Sequence, residues 1–146
     1  MKLIKKLSIF ALVGFSSLAV TSCLNNDDNN DSTPGFFETT IVEVNKDSIN
    51  PVGKMTNINV SFNLSNSCQK FENFTNIGSN YDTIYIGVAG SQSYGSNCTQ
   101  KTVLKTEVLQ FTPKKAADYY LKFWTGKYEN GKNKYGIVKK ITIKAQ

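Results

Sequence analysis

The chain has 146 residues, with 17 lysines, no arginine, no histidine and a formal net charge of +6. Without histidine it lacks the commonest general base, nucleophile activator and metal ligand. Without arginine it lacks the preferred fork for bases and phosphates, which argues against nucleic acid as a partner. The length suffices for one modest domain and a leader.

The chain opens MKLIKK, and an apolar stretch follows from Leu7 to Val20, interrupted by Ser8, Gly14, Ser16 and Ser17. A membrane-spanning helix needs about 20 apolar residues. This run is shorter, and with its basic head residues 1–22 read as a secretory signal peptide. The end of that run, VTSC at Val20 to Cys23, resembles the bacterial lipobox. The resemblance implies a diacylglycerol on the Cys23 thiol, cleavage just before it, and acylation of the new amino group. Each buried methylene contributes about 0.8 kcal/mol, so three acyl chains would make the mature protein a permanent membrane resident. The other reading is an ordinary secretory signal with an incidental cysteine.

Behind Cys23 comes LNNDDNNDSTPG, with three aspartates and no apolar residue after Leu24 until Pro34. Such a stretch cannot bury enough surface to offset the entropy of ordering. Residues 23–35 therefore read as a lipidated cysteine and a disordered acidic tether, reaching about 40 Å if extended and nearer 20 Å as a coil. The acidic run resembles the lipoprotein export signal of Bacteroidota. That implies the outer membrane and the cell exterior; the alternative is a solvated spacer facing the periplasm. Asp27, Asn29, Asp31 and Glu38 also match positions of a calcium-loop pattern. Ser32 stands where that loop wants glycine and Pro34 falls inside it, so no metal is expected. Three triplets beginning at Asp31, Asp47 and Asp82 resemble the Asp-Ser/Thr-x sites of Bacteroidota O-glycosylation.

The body, residues 36–146, has a period of two. FFETTIVEV supplies an opening strand. In MTNINVSFNLS, the residues Ile58, Val60, Phe62 and Leu64 alternate with polar ones, and in YDTIYIGVAG the set Ile84, Ile86 and Val88 forms one face. KTVLKTEVLQF alternates again, and ADYYLKFW sets Tyr119, Leu121 and Phe123 inward. GKYENGKNKYG contains Asn130-Gly131, a strong hairpin-turn signal. GIVKKITIK closes the set, with an irregularity expected at Lys139 and Lys140 where the period slips. No stretch carries a helical stripe. The expectation is an all-β two-sheet sandwich of about seven strands.

FTPKKAADYYLKFW sharpens this, because it resembles the strand-E to strand-F passage of bacterial immunoglobulin-like domains, with Ala117 where those domains often have glycine. The resemblance implies that Tyr119 is a corner tyrosine, its ring in the core and its hydroxyl bonded to nearby backbone. Cysteine arithmetic fits an exported domain. If Cys23 carries lipid, Cys68 and Cys98 are left to pair. No CxxC spacing or histidine accompanies them, which favours a structural disulfide over a metal or redox site. Cys98 lies in GSQSYGSNC, so the bridge should pin a loop and not span the core.

The carboxylates Glu72, Asp82, Glu107, Asp118 and Glu129 are scattered, and no glycine-rich phosphate loop or GxSxG occurs. No enzyme and no cofactor are expected; an unrecognised hydrolase is the catalytic alternative. Trp124, Tyr120, Tyr128 and Tyr135 lie close in sequence, and outward aromatics beside polar loops can stack on sugar rings or anchor a protein. Tyr81 and Tyr94 sit in loops of glycine, serine and asparagine, an adaptable composition. Trp124 can equally cap the edge of the core. From Lys114 onward nine lysines face two carboxylates, a basic surface able to take anionic glycans, lipopolysaccharide phosphates or an acidic partner. Outward lysines also protect sheet edges. The expected role is a surface-exposed lipoprotein that binds a glycan or protein; the alternative is a periplasm-facing subunit of an envelope complex.

Overall fold

The computed structural model describes residues 32–94 and 97–145. The signal segment, Cys23 and the acidic stretch to Asp31 lie outside the described residues. Among the described residues, eight strands form two sheets. The larger holds β1 (Ser32–Phe37), β4 (Gln69–Asn80), β5 (Thr83–Ser93), β7 (Asp118–Phe123) and β8 (Ile137–Thr142). The smaller holds β2 (Thr39–Glu43), β3 (Thr56–Leu64) and β6 (Val103–Phe111). The only helical element is a single 3-10 turn at Lys46–Ser48 among the described residues. The chain is an all-β two-sheet sandwich.

Strict alternation builds its core. Ile58, Val60 and Phe62 from the smaller sheet meet Ile86, Val88, Tyr119, Leu121, Phe123 and Ile141 from the larger. At the centre, the Phe62 ring stacks on Phe37 at 6.1 Å between centroids and tilts against Phe71 at 5.2 Å. Gly90 on β5 faces this cluster: a Cβ there would overlap the Phe37 ring and the Lys70 carbonyl. Glycine is what lets β1 and β4 close over β5.

The opening stretch divides at Glu38. β1 pairs with β5 in the larger sheet, and β2 pairs with β3 in the smaller one. The crossing is fixed by the Thr39 N–H donating to the Trp124 carbonyl at 3.1 Å. β1 begins at Ser32, so four residues assigned to the tether form a paired strand. Backbone bonding to β5 orders them without any apolar side chain, and Pro34 is tolerated because β1 has no strand beyond it at that point.

β5 is the spine of the larger sheet. One edge pairs along its length with β4, across two register shifts near Glu72 and Ile77. The other edge is shared, with β1 taking Val88 to Ser93 and β7 taking Thr83 to Ile86. The β5–β7 pairing is parallel, a departure from the antiparallel sheets of immunoglobulin domains. β8 then pairs antiparallel with β7 in unbroken register from Ile137 to Thr142. The irregularity expected at Lys139 and Lys140 is therefore absent. Lys139 takes an inner-face position in line with Ile137, Ile141 and Ile143, its aliphatic stem suited to the sandwich rim.

β6 alternates as expected, but its faces do not sort apolar from charged residues. Its exposed side chains include Val103, Leu104 and Val108, while Lys105 and Glu107 turn to the half-buried side and pair at 3.0 Å. Lys105 also lies over the Phe71 ring at 5.7 Å. At the sheet margin, a charged pair over an aromatic edge replaces an aliphatic contact.

Three local expectations correspond to the structure. Tyr119 is buried, its hydroxyl donating to the Lys115 carbonyl at 3.3 Å and accepting from the Lys115 N–H at 3.3 Å. Cys68 and Cys98 are bridged with an S–S distance of 2.00 Å, joining the approach to β4 to the connection after β5 and leaving the core untouched. The Asn130-Gly131 pair makes a turn closed by the Gly131 N–H to the Tyr128 carbonyl at 2.8 Å, with Gly131 at φ 77°. Tyr119→Phe keeps the ring and removes both corner bonds. It should cost about 0.5–1 kcal/mol in urea unfolding; an unchanged midpoint would mean the hydroxyl contributes nothing to the corner.

Candidate functional site

The outer face of the larger sheet is built by parity. Because Ile84 and Ile86 point inward, Thr83 and Tyr85 point outward, and Tyr120 and Lys122 follow on β7 and Val138 and Lys140 on β8. Register aligns them into rows. Thr83 neighbours Tyr120, which neighbours Lys140; Tyr85 neighbours Lys122, which neighbours Val138. Tyr135, from the β7–β8 connection, meets the Tyr85 ring edge-on at 4.8 Å. On its other side Gly78 lies opposite the Tyr85 ring, where an added Cβ would make an ordinary contact at 3.9 Å.

Lysines border the Tyr85 and Tyr120 rings. The Lys122 ammonium lies 5.6 Å from the Tyr85 centroid, and the Lys140 ammonium 6.0 Å from the Tyr120 centroid. Lys140 also pairs with Asp118 at 2.8 Å, and Asp118 accepts from the Thr142 hydroxyl at 2.6 Å. The hydrogen bond from Lys140, and then that from Thr142, hold the Asp118 carboxyl below its usual range, while Asp118 raises the Lys140 ammonium in turn. Both groups stay charged through neutral pH, so Tyr120 keeps a fixed cation beside it.

The candidate tyrosines separate into four places. Tyr120, 40% exposed, and Tyr135 belong to this face. Tyr128, 54% exposed, stands in the β7–β8 connection with the Lys134 ammonium 6.0 Å from its ring centre. Tyr94, 64% exposed, lies just past the end of β5 beside the disulfide loop, and Tyr81, 96% exposed, lies in the β4–β5 turn at the opposite end of that strand.

Trp124 is a correction. It is only 8% exposed, its indole N–H donates to Asn133 at 3.2 Å, and Phe36 covers it at 5.9 Å. Its backbone N–H donates to the Ile86 carbonyl at 2.8 Å. It pins the β7–β8 connection to the sheet and offers no free ring. The residues that sequence reasoning missed are Tyr85, Lys122 and Phe36. Their signal was present, since assigning Ile84 and Ile86 to the core already sends Tyr85 outward.

Among the described residues, no group of three or more cysteine or carboxylate side chains converges in a way that could hold a metal ion. No family model, curated protein or solved structure matches the chain.

Proposed function

We propose that this chain is a lipid-anchored, non-catalytic binding module of a bacterial outer membrane, displayed on the cell exterior, and that the outer face of the five-stranded sheet takes a glycan. The observation that carries the reading is the contiguous surface of Tyr120, Tyr85 and Tyr135 across neighbouring strands, bordered by Lys122 and Lys140. Aromatic rings on a rigid sheet present an apolar plane with polar edges, the chemistry that stacks on the C–H face of a pyranose. The anchor on Cys23 and the acidic tether would hold that surface clear of the lipid.

Two experiments test this. Titration of oligosaccharides from the organism's own surroundings should give binding that Tyr120→Ala weakens by about tenfold, the scale of one lost stacking contact. Equal affinity of the variant would remove the aromatic face from consideration. Protease shaving of intact cells should remove a C-terminal tag while a periplasmic control survives. Protection until the outer membrane is opened would turn the reading to a periplasm-facing subunit, for which the uncharged β3 and β6 surface around Asn59, Leu104 and Val108 offers a docking face.

A further inference from the structure

A concave feature lies on the rim of the sandwich, between the β2–β3 connection and β8. It is a cleft of about 750 Å³ lined by Val44, Ile49, Pro51 and Ala145 on its apolar side, and by four lysines, Lys46, Lys139, Lys140 and Lys144. Among the described residues, no carboxylate side chain lines it. The volume falls within the range of small-molecule pockets, roughly 300–1,000 Å³.

The wall formed by the connection is tied down. The Asn50 N–H donates to the fully buried Thr56 hydroxyl at 2.9 Å, the Val52 N–H to the Lys144 carbonyl at 3.3 Å, and the Gly53 N–H to the Pro113 carbonyl at 2.9 Å. The opposite wall is the regular strand β8. The cleft is thus held between fixed backbone on both sides.

Its charge is uncompensated. Lys140 shares its charge with Asp118, whereas Lys46, Lys139 and Lys144 have no carboxylate within ion-pair distance among the described residues. Lys139 is the telling member. It occupies an inner-face position between Ile137 and Ile141, where a fourth isoleucine would complete the core stripe. Its stem lies along the rim of the core, and its ammonium has no carboxylate partner among the described residues. An anion in the cleft would supply the missing counter-charge.

We propose that this cleft binds a phosphate monoester. A phosphate monoester carries close to two negative charges near neutral pH and three acceptor oxygens, which suits three unpaired ammonium groups, each with three donors. A single carboxylate would leave most of that charge unanswered. The space beyond a phosphate group, against Val44, Ile49, Pro51 and Ala145, accommodates the esterified body. That body is a sugar or the glycerol backbone of a lipid, and the test separates the two.

The experiment is an NMR titration of the full chain carrying Cys23→Ser, which removes the acylated thiol. The probes are inorganic phosphate, glucose 6-phosphate and dihexanoyl phosphatidic acid, with zwitterionic dihexanoyl phosphatidylcholine, a phosphodiester of no net charge, as the control. Amide shifts confined to residues 44–51 and 137–145 are expected with both phosphate esters or with one of them. Preference for the sugar phosphate assigns a soluble ligand, and preference for phosphatidic acid a lipid one. Lys139→Gln and Lys144→Gln should each weaken binding by roughly tenfold, the scale of a lost charge-assisted hydrogen bond, while Lys70→Gln on β4 should not. Rising salt should weaken it further. The proposal is overturned if none of the phosphate probes shifts the cleft, if shifts spread evenly over all exposed lysines, or if Lys70→Gln weakens binding as much as Lys144→Gln. Should Lys139→Gln fail to fold, the exposed Lys144 variant carries the test alone.

Discussion

Phe62→Ala is expected to be the most damaging single truncation, costing about 3–5 kcal/mol. The side chain is fully buried and lies between the Phe37 and Phe71 rings, so its removal unsupports residues from β1 and β4 as well as β3. Strands on both sheets hold their neighbours in register, which limits how far the void can collapse. A domain of this size has a total stability of about 5–15 kcal/mol, so the variant should unfold at much lower urea and show a weakened β1. A midpoint shift worth under about 1 kcal/mol would mean that the three-ring stack is not the centre of the core.

The second large effect is loss of the disulfide. The bridge closes a separation of 30 residues between Cys68 and Cys98. The chain-entropy relation gives about 3–4 kcal/mol for a loop of that length. Cys68→Ser with Cys98→Ser should therefore lower the unfolding midpoint while leaving the native sheet signature intact, because no core side chain depends on the bridge. Reductant should reproduce the shift in the parent protein and do nothing further to the variant. A midpoint indifferent to reductant would show that the loop is already constrained by its other ties, among them the Thr99 N–H to the Ser67 hydroxyl at 3.0 Å.

Period-two alternation made most of this fold legible. In MTNINVSFNLS and ADYYLKFW the apolar residues mark the buried face without ambiguity, and the corner tyrosine followed from the resemblance of FTPKKAADYYLKFW to bacterial immunoglobulin-like domains. Where charged residues occupy inner positions, hydropathy stops reporting parity. Lys139 read as a slip in β8, and on β6 the apolar Leu104 and Val108 stand outside while Lys105 and Glu107 face the margin. Sheet-edge strands permit this because long side chains can lie along apolar surface and still reach water. The start of β1 was hidden for another reason: Ser32 to Gly35 are ordered by backbone bonds to β5, which composition does not record. The aromatic face was half legible, since Tyr120 and Tyr135 could be nominated by sequence proximity but their neighbour Tyr85 comes from a distant strand. The basic cleft was out of reach, because Lys46 and Lys144 lie at opposite ends of the body and meet only through the fold.

The parallel pairing of β5 with β7 also governs how the chain must assemble. Three hairpin-like pairs, β2–β3, β4–β5 and β7–β8, are neighbours in sequence, and such units form in about 1–10 μs. What joins them is non-local: β1 must cross to β5, β6 must leave for β3, and β7 must then arrive beside β5 from the far side of that excursion. Closing those loops carries an entropic cost before any contact rewards it. The rate-limiting event is thus the docking of ready-made hairpins, and the vulnerable interval is the one in which their strand edges are still open to one another in the wrong order.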